Sequence, residues 1–378
     1  MTRFGHRRVS VTDWSALSGL GVGREAFGRG FRTPGDGADA TLVEDFDAAE
    51  MLGRKGTRTL DRMTAQVIAT AGMVLAGRDD EAARARIGLV LGSSTGSVQS
   101  ITEFTRDTFV RERPYLVNPA NFPSTVMNNA AGRTAIWYGL RGPNSTITAG
   151  HLTGLVALRY ASRLIRLGYV DTLLVGAVEE VSEAVSAGVG AMRRAGTVGP
   201  GSGPTPLGEG CVFFLLDGRD EAPDGSADGS VNGSGTGSAD GSAGGAAVAE
   251  LVGFESGVTE AGAAPATTAA GLVRAIRTLL ARTGLGPEDL WLVSLAQSGD
   301  GELDAAELAA VDQVVGAGPR RVVASERTGN SFSALGAFQL AAALAVAEED
   351  RPAGEPSRPC LLTSLGVDGG VGCALVLA

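Results

Sequence analysis

The sequence predicts an α/β protein built from two duplicated halves that are related by a pseudo-two-fold axis. Apolar strand segments alternate with amphipathic helical segments, the same order of elements occurs twice, and a Gly/Ser-rich stretch separates the two runs. The 378 residues are 44% hydrophobic and 20% charged, which is too apolar for a disordered chain and ample for a large core.

The first half contains a strand, a helix and a strand at the spacing of a parallel crossover unit. Its helix at 154–167 has apolar residues on one face, and the strand at 172–177 is apolar throughout. The predicted elements of this half are strands at 7–12, 86–92, 145–149 and 172–177, and helices at 60–75 and 154–167.

The second half repeats this order. Its predicted elements are strands at 290–295, 321–324, 360–365 and 373–377, and helices at 268–281 and 333–347. The segment 222–247 is almost wholly Gly, Ser, Ala and Asp, and it lies between predicted strands at 212–216 and 249–254. We therefore expect an N-terminal half at 1–221, a disordered surface loop at 222–247 and a C-terminal half at 248–378.

Charge and residue counts exclude several classes of function. The net charge of −10 argues against nucleic acid as a partner. No apolar run approaches the roughly 20 residues of a membrane span, and the basic N-terminus lacks the apolar region of a secretory signal. We expect a cytoplasmic protein with no membrane partner. The three cysteines show no metal-ligand spacing, so no metal site is expected.

Two glycine-containing motifs offer weak alternatives. Gly92-Ser93-Ser94-Thr95-Gly96 matches the G-x-S-x-G turn of α/β-hydrolases, but that chemistry needs a histidine late in the chain, and His151 lies far too early. The spacing of Gly19, Gly21 and Gly23 is too lax for a dinucleotide fingerprint. Both motifs are better interpreted as small-residue turns.

His151 is the most informative single residue. It follows Ala149-Gly150 after a predicted strand and begins the helix at 154–167, where the helix N-terminus favours an anion and biases an imidazole toward its neutral form. A cysteine in this position would be an activated nucleophile. The chain has one other histidine, His6, and a single lysine, Lys55.

Several stretches resemble the β-ketoacyl synthase family, and the resemblance covers the whole chain apart from the Gly/Ser-rich segment. The stretches that carry it are 118–128 (NPANFPSTVMN), 138–143 (YGLRGP), 168–179 (GYVDTLLVGAVE), 207–210 (LGEG) and 249–254 (AELVGF). The resemblance implies a thiolase-like fold with five layers in the order α-β-α-β-α.

The family's catalytic positions are changed in this chain. The nucleophilic cysteine falls on His151, and the two histidines fall on Gln297 and Asn330. The family's lysine falls on Ser325, and its C-terminal G-F-G-G-T-N turn is represented by residues 365–370 (LGVDGG). Amide side chains donate hydrogen bonds but transfer no proton near neutral pH, so this chain is not expected to catalyse condensation by itself.

A ketosynthase fold with every catalytic position changed resembles the chain-length factor, the β subunit of type II polyketide ketosynthases. The resemblance implies a heterodimer with an active ketosynthase, a shared acyl tunnel, and no bound cofactor, because acyl chains arrive on the phosphopantetheine of an acyl carrier protein. Residues expected at the interface or tunnel are Thr95, Phe104, Thr108, Phe109, Asn121, Phe122, Val126 and Met127.

One alternative remains open at the level of the sequence. His151 offers an imidazole that serves as a base or a transient acyl acceptor in a repurposed acyltransferase, cyclase or dehydratase.

Overall fold

The fold is known from a computed structural model, which describes residues 7–33, 41–196, 205–219, 247–260, 262–351 and 355–378. The loop expected at 222–247 falls outside these ranges except for Ala247. The boundaries expected around that loop therefore stay predictions.

Among the described residues, the N-terminal half contributes six strands and eight helices. The strands are β1 (Arg8–Ser18), β2 (Gly21–Val22), β3 (Gly88–Gly92), β4 (Asn144–Ile147), β5 (Thr172–Glu179) and β6 (Gly210–Arg219). The helices are α1 (Arg24–Arg32), α2 (Ala48–Leu52), α3 (Arg62–Leu75), α4 (Glu81–Ala85), α5 (Val98–Val110), α6 (Asn129–Tyr138), α7 (Thr153–Arg166) and α8 (Glu183–Ala195). Short 3-10 turns span Thr57–Thr59, Pro119–Thr125 and Gly150–Leu152.

The C-terminal half contributes five strands and four helices among the described residues. The strands are β7 (Ala249–Val258), β8 (Leu292–Leu295), β9 (Arg320–Val323), β10 (Pro359–Leu365) and β11 (Gly370–Leu377). The helices are α9 (Pro265–Thr283), α10 (Gly301–Val315), α11 (Ser325–Thr328) and α12 (Leu335–Asp350), with 3-10 turns at Pro287–Asp289 and Phe332–Ala334.

The strand order repeats the same topology on either side of a central pair. The sheet runs β4-β3-β5-β6-β1-β7-β11-β10-β8-β9, with β2 paired to β1. In each half the three outermost strands are parallel and the inner pairings are antiparallel. Strands β1 and β7 join the halves in antiparallel register, with Val11 opposite Ala249. The predicted duplication is therefore present in the topology.

Three apolar clusters define the layers. The central cluster contains α7 and α12 between the two half-sheets, one outer cluster contains α3 and α6, and the other contains α9 and α10. Successive residues of β5 alternate between clusters, since Leu173 faces the centre and Leu174 faces the α3 side. The result is the expected five-layered arrangement, α-β-α-β-α.

Helix α12 is buried on all sides, from Leu335 to Ala347. The segment Phe332–Asp350 is long and apolar enough to cross a membrane, which the sequence interpretation missed, but 89% of its apolar window is buried inside the molecule. A helix that is apolar all round fits this central layer.

Candidate functional site: the remodelled catalytic centre

His151 lies at the start of the inner helix α7, as the sequence predicts. Strand β4 ends at Ile147, Gly150 turns the chain at φ 55°, and His151 occupies the 3-10 turn that leads into the helix. The Thr153 hydroxyl fixes the turn: it accepts from the Ala149 N–H at 2.7 Å and donates to the Gly150 carbonyl at 2.7 Å. The His151 side chain is only 3% exposed.

Burial keeps the His151 imidazole neutral. Desolvation lowers its pKa, while the Asp368 carboxylate, the Asn330 side chain and Asp300 act weakly in the opposite direction. Its Nε2 atom has no hydrogen-bond partner among the described residues. A neutral imidazole with one free nitrogen can donate or accept a hydrogen bond but forms no stable thioester.

The other predicted positions gather around His151. The Asn330 side chain interacts with the imidazole, donates through Nδ2 to the Ser298 carbonyl at 2.5 Å, and accepts from the Phe332 N–H at 3.0 Å. Ser325 Oγ donates to the Gln297 carbonyl at 2.6 Å. The structure thus brings all four changed catalytic positions into one site.

Gln297 is held in an unusual backbone conformation. Its φ is 41°, in the left-handed region that glycine favours, and such strain persists only where neighbouring contacts enforce it. The enforcing group is Glu307, whose carboxylate accepts from the Gln297 N–H at 2.9 Å, the Ala296 N–H at 3.0 Å and the Thr363 hydroxyl at 2.7 Å. Burial raises the pKa of Glu307 to about 7 against these hydrogen bonds.

A second buried carboxyl, Glu179, ties the G-x-S-x-G turn to the same site. It accepts from the Ser94 N–H at 2.6 Å, from the Thr95 hydroxyl at 2.5 Å and from the Ser333 hydroxyl. Desolvation raises the pKa of Glu179. The Ser94 hydroxyl donates to the Gly150 carbonyl at 3.3 Å and makes no hydrogen bond to His151 within the described chain, so the hydrolase alternative loses its nucleophile–base pair.

Sequence reasoning missed three acidic members of this site, namely Glu179, Glu307 and Asp368. Asp368 lies in the C-terminal turn, where a Cβ added to Gly150 would stand 2.7 Å from its Oδ2 atom. Asp368 could have been noticed in the sequence, because it stands where the family's G-F-G-G-T-N turn has a glycine. Glu179 and Glu307 gave no such signal, since only the fold reveals that they are buried.

None of the three cysteines can replace the lost nucleophile. Cys211, Cys360 and Cys373 are buried, and desolvation raises the pKa of each thiol to about 12. No cluster of metal-ligating side chains occurs within the described ranges. The site therefore offers hydrogen bonds and fixed carboxylates but no thiolate at neutral pH.

The residues expected at the interface lie on a surface formed by α5 and the segment 119–127. Phe104, Thr108 and Phe109 belong to α5, and the Phe104 ring meets the Phe122 ring edge-on at 5.9 Å between centroids. Asn121, Phe122 and Val126 are exposed, and Val126 and Met127 line a shallow cleft with Asp61 and Ser97. Thr95 differs, because it is half-buried against Glu179.

The α5/119–127 surface is largely exposed, and α5 packs inward through the half-buried Val98 against Val185, Val189 and Phe332. Helix α5 has no buried residue along its 13 positions, and Phe109 is 82% exposed. Exposed large apolar side chains on it are Ile101, Phe109, Val110, Phe122 and Val126, and Tyr115 and Leu116 in the connecting segment are exposed as well. A contiguous apolar surface of this kind is typical of an interaction site.

Family models match nearly the whole chain. Residues 36–239 match the N-terminal domain of β-ketoacyl synthases and residues 234–352 match the C-terminal domain. A 3-oxoacyl-[acyl-carrier-protein] synthase 2 from Vibrio harveyi is 32% identical over 233 residues, which cover 56% of this chain and 55% of that protein. A putative polyketide β-ketoacyl synthase 1 from Streptomyces virginiae is 25% identical over 91% of this chain and 86% of its own.

Solved structures agree on the fold. The ishigamide ketosynthase/chain length factor superposes with a TM-score of 0.78 and 28% identity, covering 98% of this chain and 99% of that one. A type II polyketide synthase acyl-carrier protein in complex with its ketosynthase gives a TM-score of 0.74 at 19% identity, with the same coverage. The fold is thus thiolase-like, and the chain belongs to the β-ketoacyl synthase family.

Proposed function

We propose that this chain is a non-catalytic, ketosynthase-like subunit of a cytoplasmic type II polyketide synthase, a chain-length factor. It pairs with an active ketosynthase and shapes the tunnel that receives the growing, carrier-bound acyl chain. It needs no cofactor of its own, because the phosphopantetheine of the carrier protein supplies the thiol.

The remodelled catalytic centre carries this proposal. Claisen condensation needs a thiolate to hold the acyl chain and two imidazoles around the malonyl group. This site offers His151 where the thiolate is needed and the amides of Gln297 and Asn330 in place of the imidazoles. The thiolase-like fold is nevertheless intact around these positions.

The surface supports pairing with a second ketosynthase-like chain. Strand β4 is an edge strand, so one side of its backbone has no strand partner within the described sheet. Next to it stand the 78% exposed side chain of Ile136 on α6 and the half-exposed ring of Tyr160 on α7. Together with the α5/119–127 surface, this edge gives an apolar area of the kind that obligate dimers bury.

A cluster of cationic side chains supports contact with an acidic carrier protein. Arg54, Lys55 and Arg58 are exposed on the turn before α3, and Arg133 on α6 donates to the Thr59 hydroxyl at 3.4 Å. None of these four cations makes an ion pair with a described residue. The chain carries a net charge of −10, so this positively charged cluster differs from the protein as a whole. Arg133 lies on the same helix, α6, as the exposed Ile136.

The decisive experiment is reconstitution with an intact ketosynthase and malonyl-loaded carrier protein, with and without this chain. We expect a stable 1:1 complex by native mass spectrometry and a product whose chain length depends on this subunit. The His151→Ala variant is expected to keep both the complex and product formation. An unchanged product in the absence of this chain would refute the assignment.

A second function, an enzyme that uses His151, is favoured only by the free Nε2 atom of that residue. It predicts that His151→Ala abolishes product formation while the 1:1 complex persists. The reconstitution therefore separates the two functions in a single comparison.

A further inference from the structure

Two polar side chains in the remodelled site carry groups without a hydrogen-bond partner among the described residues. The His151 Nε2 atom is buried without a hydrogen bond to any described residue. The side-chain amide of Gln297 likewise makes no hydrogen bond within the described part of the chain, although its backbone is bonded on both sides. The Gln297 side chain is half-buried, whereas the His151 Nε2 atom is fully buried. Buried polar groups are nearly always satisfied, so this unpaired imidazole nitrogen indicates a missing ligand.

The groups around these side chains are fixed in advance. Asn330, which interacts with His151, donates to the Ser298 carbonyl and accepts from the Phe332 N–H, so both ends of its amide are held. The strained φ of 41° at Gln297 is enforced by Glu307 and Ser325. Strain of this kind, maintained by two hydrogen bonds to the backbone, is typical of binding sites that are organised before the ligand arrives.

The charge around the site is negative. The carboxylates of Asp368 and Asp300 both act electrostatically on His151, and Asp368 is exposed at the rim. Asp304 adds a third carboxylate, which accepts from the Gly299 N–H at 2.9 Å. An anionic ligand would be repelled here, whereas an uncharged carbonyl would meet two free hydrogen-bonding side chains.

We propose that His151 and Gln297 form a subsite that binds uncharged keto or thioester carbonyl oxygens of an acyl chain and rejects the carboxylate of a malonyl group. The subsite deepens the proposed function, because it gives the non-catalytic chain a direct contact with the growing polyketide. Recognition is by hydrogen bonds from the imidazole Nε2–H and the Gln297 amide, and no covalent step takes place.

The small histidine inventory makes the test direct. In a His6→Gln background, His151 is the single imidazole, and histidine-labelled protein gives one set of side-chain nitrogen resonances. The full-length chain is titrated with the N-acetylcysteamine thioesters of acetoacetate and of malonate. We expect a saturable shift of the His151 Nε2 resonance with the acetoacetyl probe and no shift with the malonyl probe.

Three variants sharpen this test. Gln297→Leu removes one hydrogen bond and is expected to weaken acetoacetyl binding by about tenfold. Asp368→Asn, at an exposed position, is expected to let the malonyl probe bind, and Asp79→Asn, a distant exposed carboxylate, is the matched control that leaves both titrations unchanged.

Two results would overturn the subsite: absence of any shift with the acetoacetyl probe, or equal binding of both probes. Neither result depends on a partner ketosynthase, since the chain is titrated alone. Failure of the subsite is therefore distinguishable from failure of the proposed function, which the reconstitution measures.

Discussion

At the scale of single residues, the described half-sheets bury carboxyl groups at the ends of their strands. Glu180, directly after β5, is 2% exposed and accepts from the Met63 N–H at 3.0 Å and the Ser97 hydroxyl at 3.3 Å. Desolvation, reinforced by the Asp61 carboxylate, raises the pKa of Glu180 to about 7 against these hydrogen bonds. Glu180 therefore connects the starts of α3 and α5 through hydrogen bonds, and its protonation state affects the stability of this region.

This coupling predicts a pH-dependent stability. Because the folded-state pKa is raised from 4.5 to about 7, the folded chain binds the proton more tightly, and stability falls as pH rises between these values. A shift of this size corresponds to at most about 3 kcal/mol. We therefore expect the free energy of unfolding to fall less between pH 5 and pH 8 in the Glu180→Gln variant than in the unchanged chain. Urea denaturation at pH 5 and at pH 8 measures it.

The control for this measurement is Glu288→Gln, at an exposed position of the C-terminal half. That variant should follow the pH dependence of the unchanged chain. Identical pH dependence in the Glu180→Gln variant would show that the carboxyl is not protonated in the fold.

The resemblance to the β-ketoacyl synthase family assigned the changed catalytic positions but not the residues that support them. His151, Gln297, Asn330 and Ser325 could be assigned because each falls in a short motif with a fixed offset from a strand or helix. Glu307 lies ten residues after Gln297, on another element, and its role depends on α10 returning to the end of β8. No local pattern in the sequence encodes that return.

At the scale of elements, the two inner helices approach each other unusually closely at glycine. A Cβ placed on Gly154 of α7 would stand 2.6 Å from the Ala337 backbone nitrogen, and one on Gly336 of α12 would stand 2.9 Å from the Leu155 nitrogen. The backbones of the central layer therefore touch at this point, which fixes the position of His151 one turn away.

This contact predicts that Gly154→Ala destabilises the protein. The added methyl group forces the helices apart, at a cost of about 1–3 kcal/mol or more. Gly188→Ala in α8 is the matched control, because its Cβ would have no neighbour within 4 Å and alanine favours the helix by about 0.5–1 kcal/mol. Thermal unfolding of the two variants should shift in opposite directions; equal shifts would contradict the close approach.

Several helices with a buried face were predicted, although α10, which buries Ala306, Ala310 and Val311, was not. The helices at 60–75, 154–167 and 268–281 match α3, α7 and α9 within a few residues, because each places apolar side chains against a half-sheet. Helix α5 escaped the pattern analysis since none of its residues is buried. Ile101, Phe109 and Val110 on this helix are exposed, so their spacing does not follow the core of this chain.

At the scale of the whole molecule, the cationic cluster predicts a salt-sensitive contact with the carrier protein. The double variant Lys55→Glu/Arg58→Glu should weaken carrier binding to the reconstituted complex by roughly tenfold and flatten its salt dependence, because rim charges govern attraction over a Debye length. The matched control is Arg274→Glu/Arg277→Glu, two exposed arginines of α9 without an ion pair in the described chain. Equal loss in both variants would indicate only a general charge effect.

The α5/119–127 surface of the N-terminal half and the region around the end of β7 in the C-terminal half differ in their side chains. This difference predicts where a partner chain binds. Phe109 on α5 and Val258 at the end of β7 are both 82% exposed, but only Phe109 belongs to the α5/119–127 surface. Phe109→Glu should weaken the 1:1 complex by about 2 kcal/mol or more if this residue is buried at its centre, because a charge would then lose its water.

Val258→Glu makes the same chemical change at equal exposure and should leave the complex intact. Both variants should fold with unchanged melting temperature, since neither side chain contributes to the core. The dissociation constant with the ketosynthase, measured by analytical ultracentrifugation, separates the alternatives. Greater loss from Val258→Glu would place the partner on the opposite side of the molecule, and the tunnel would then have to be sought next to β7.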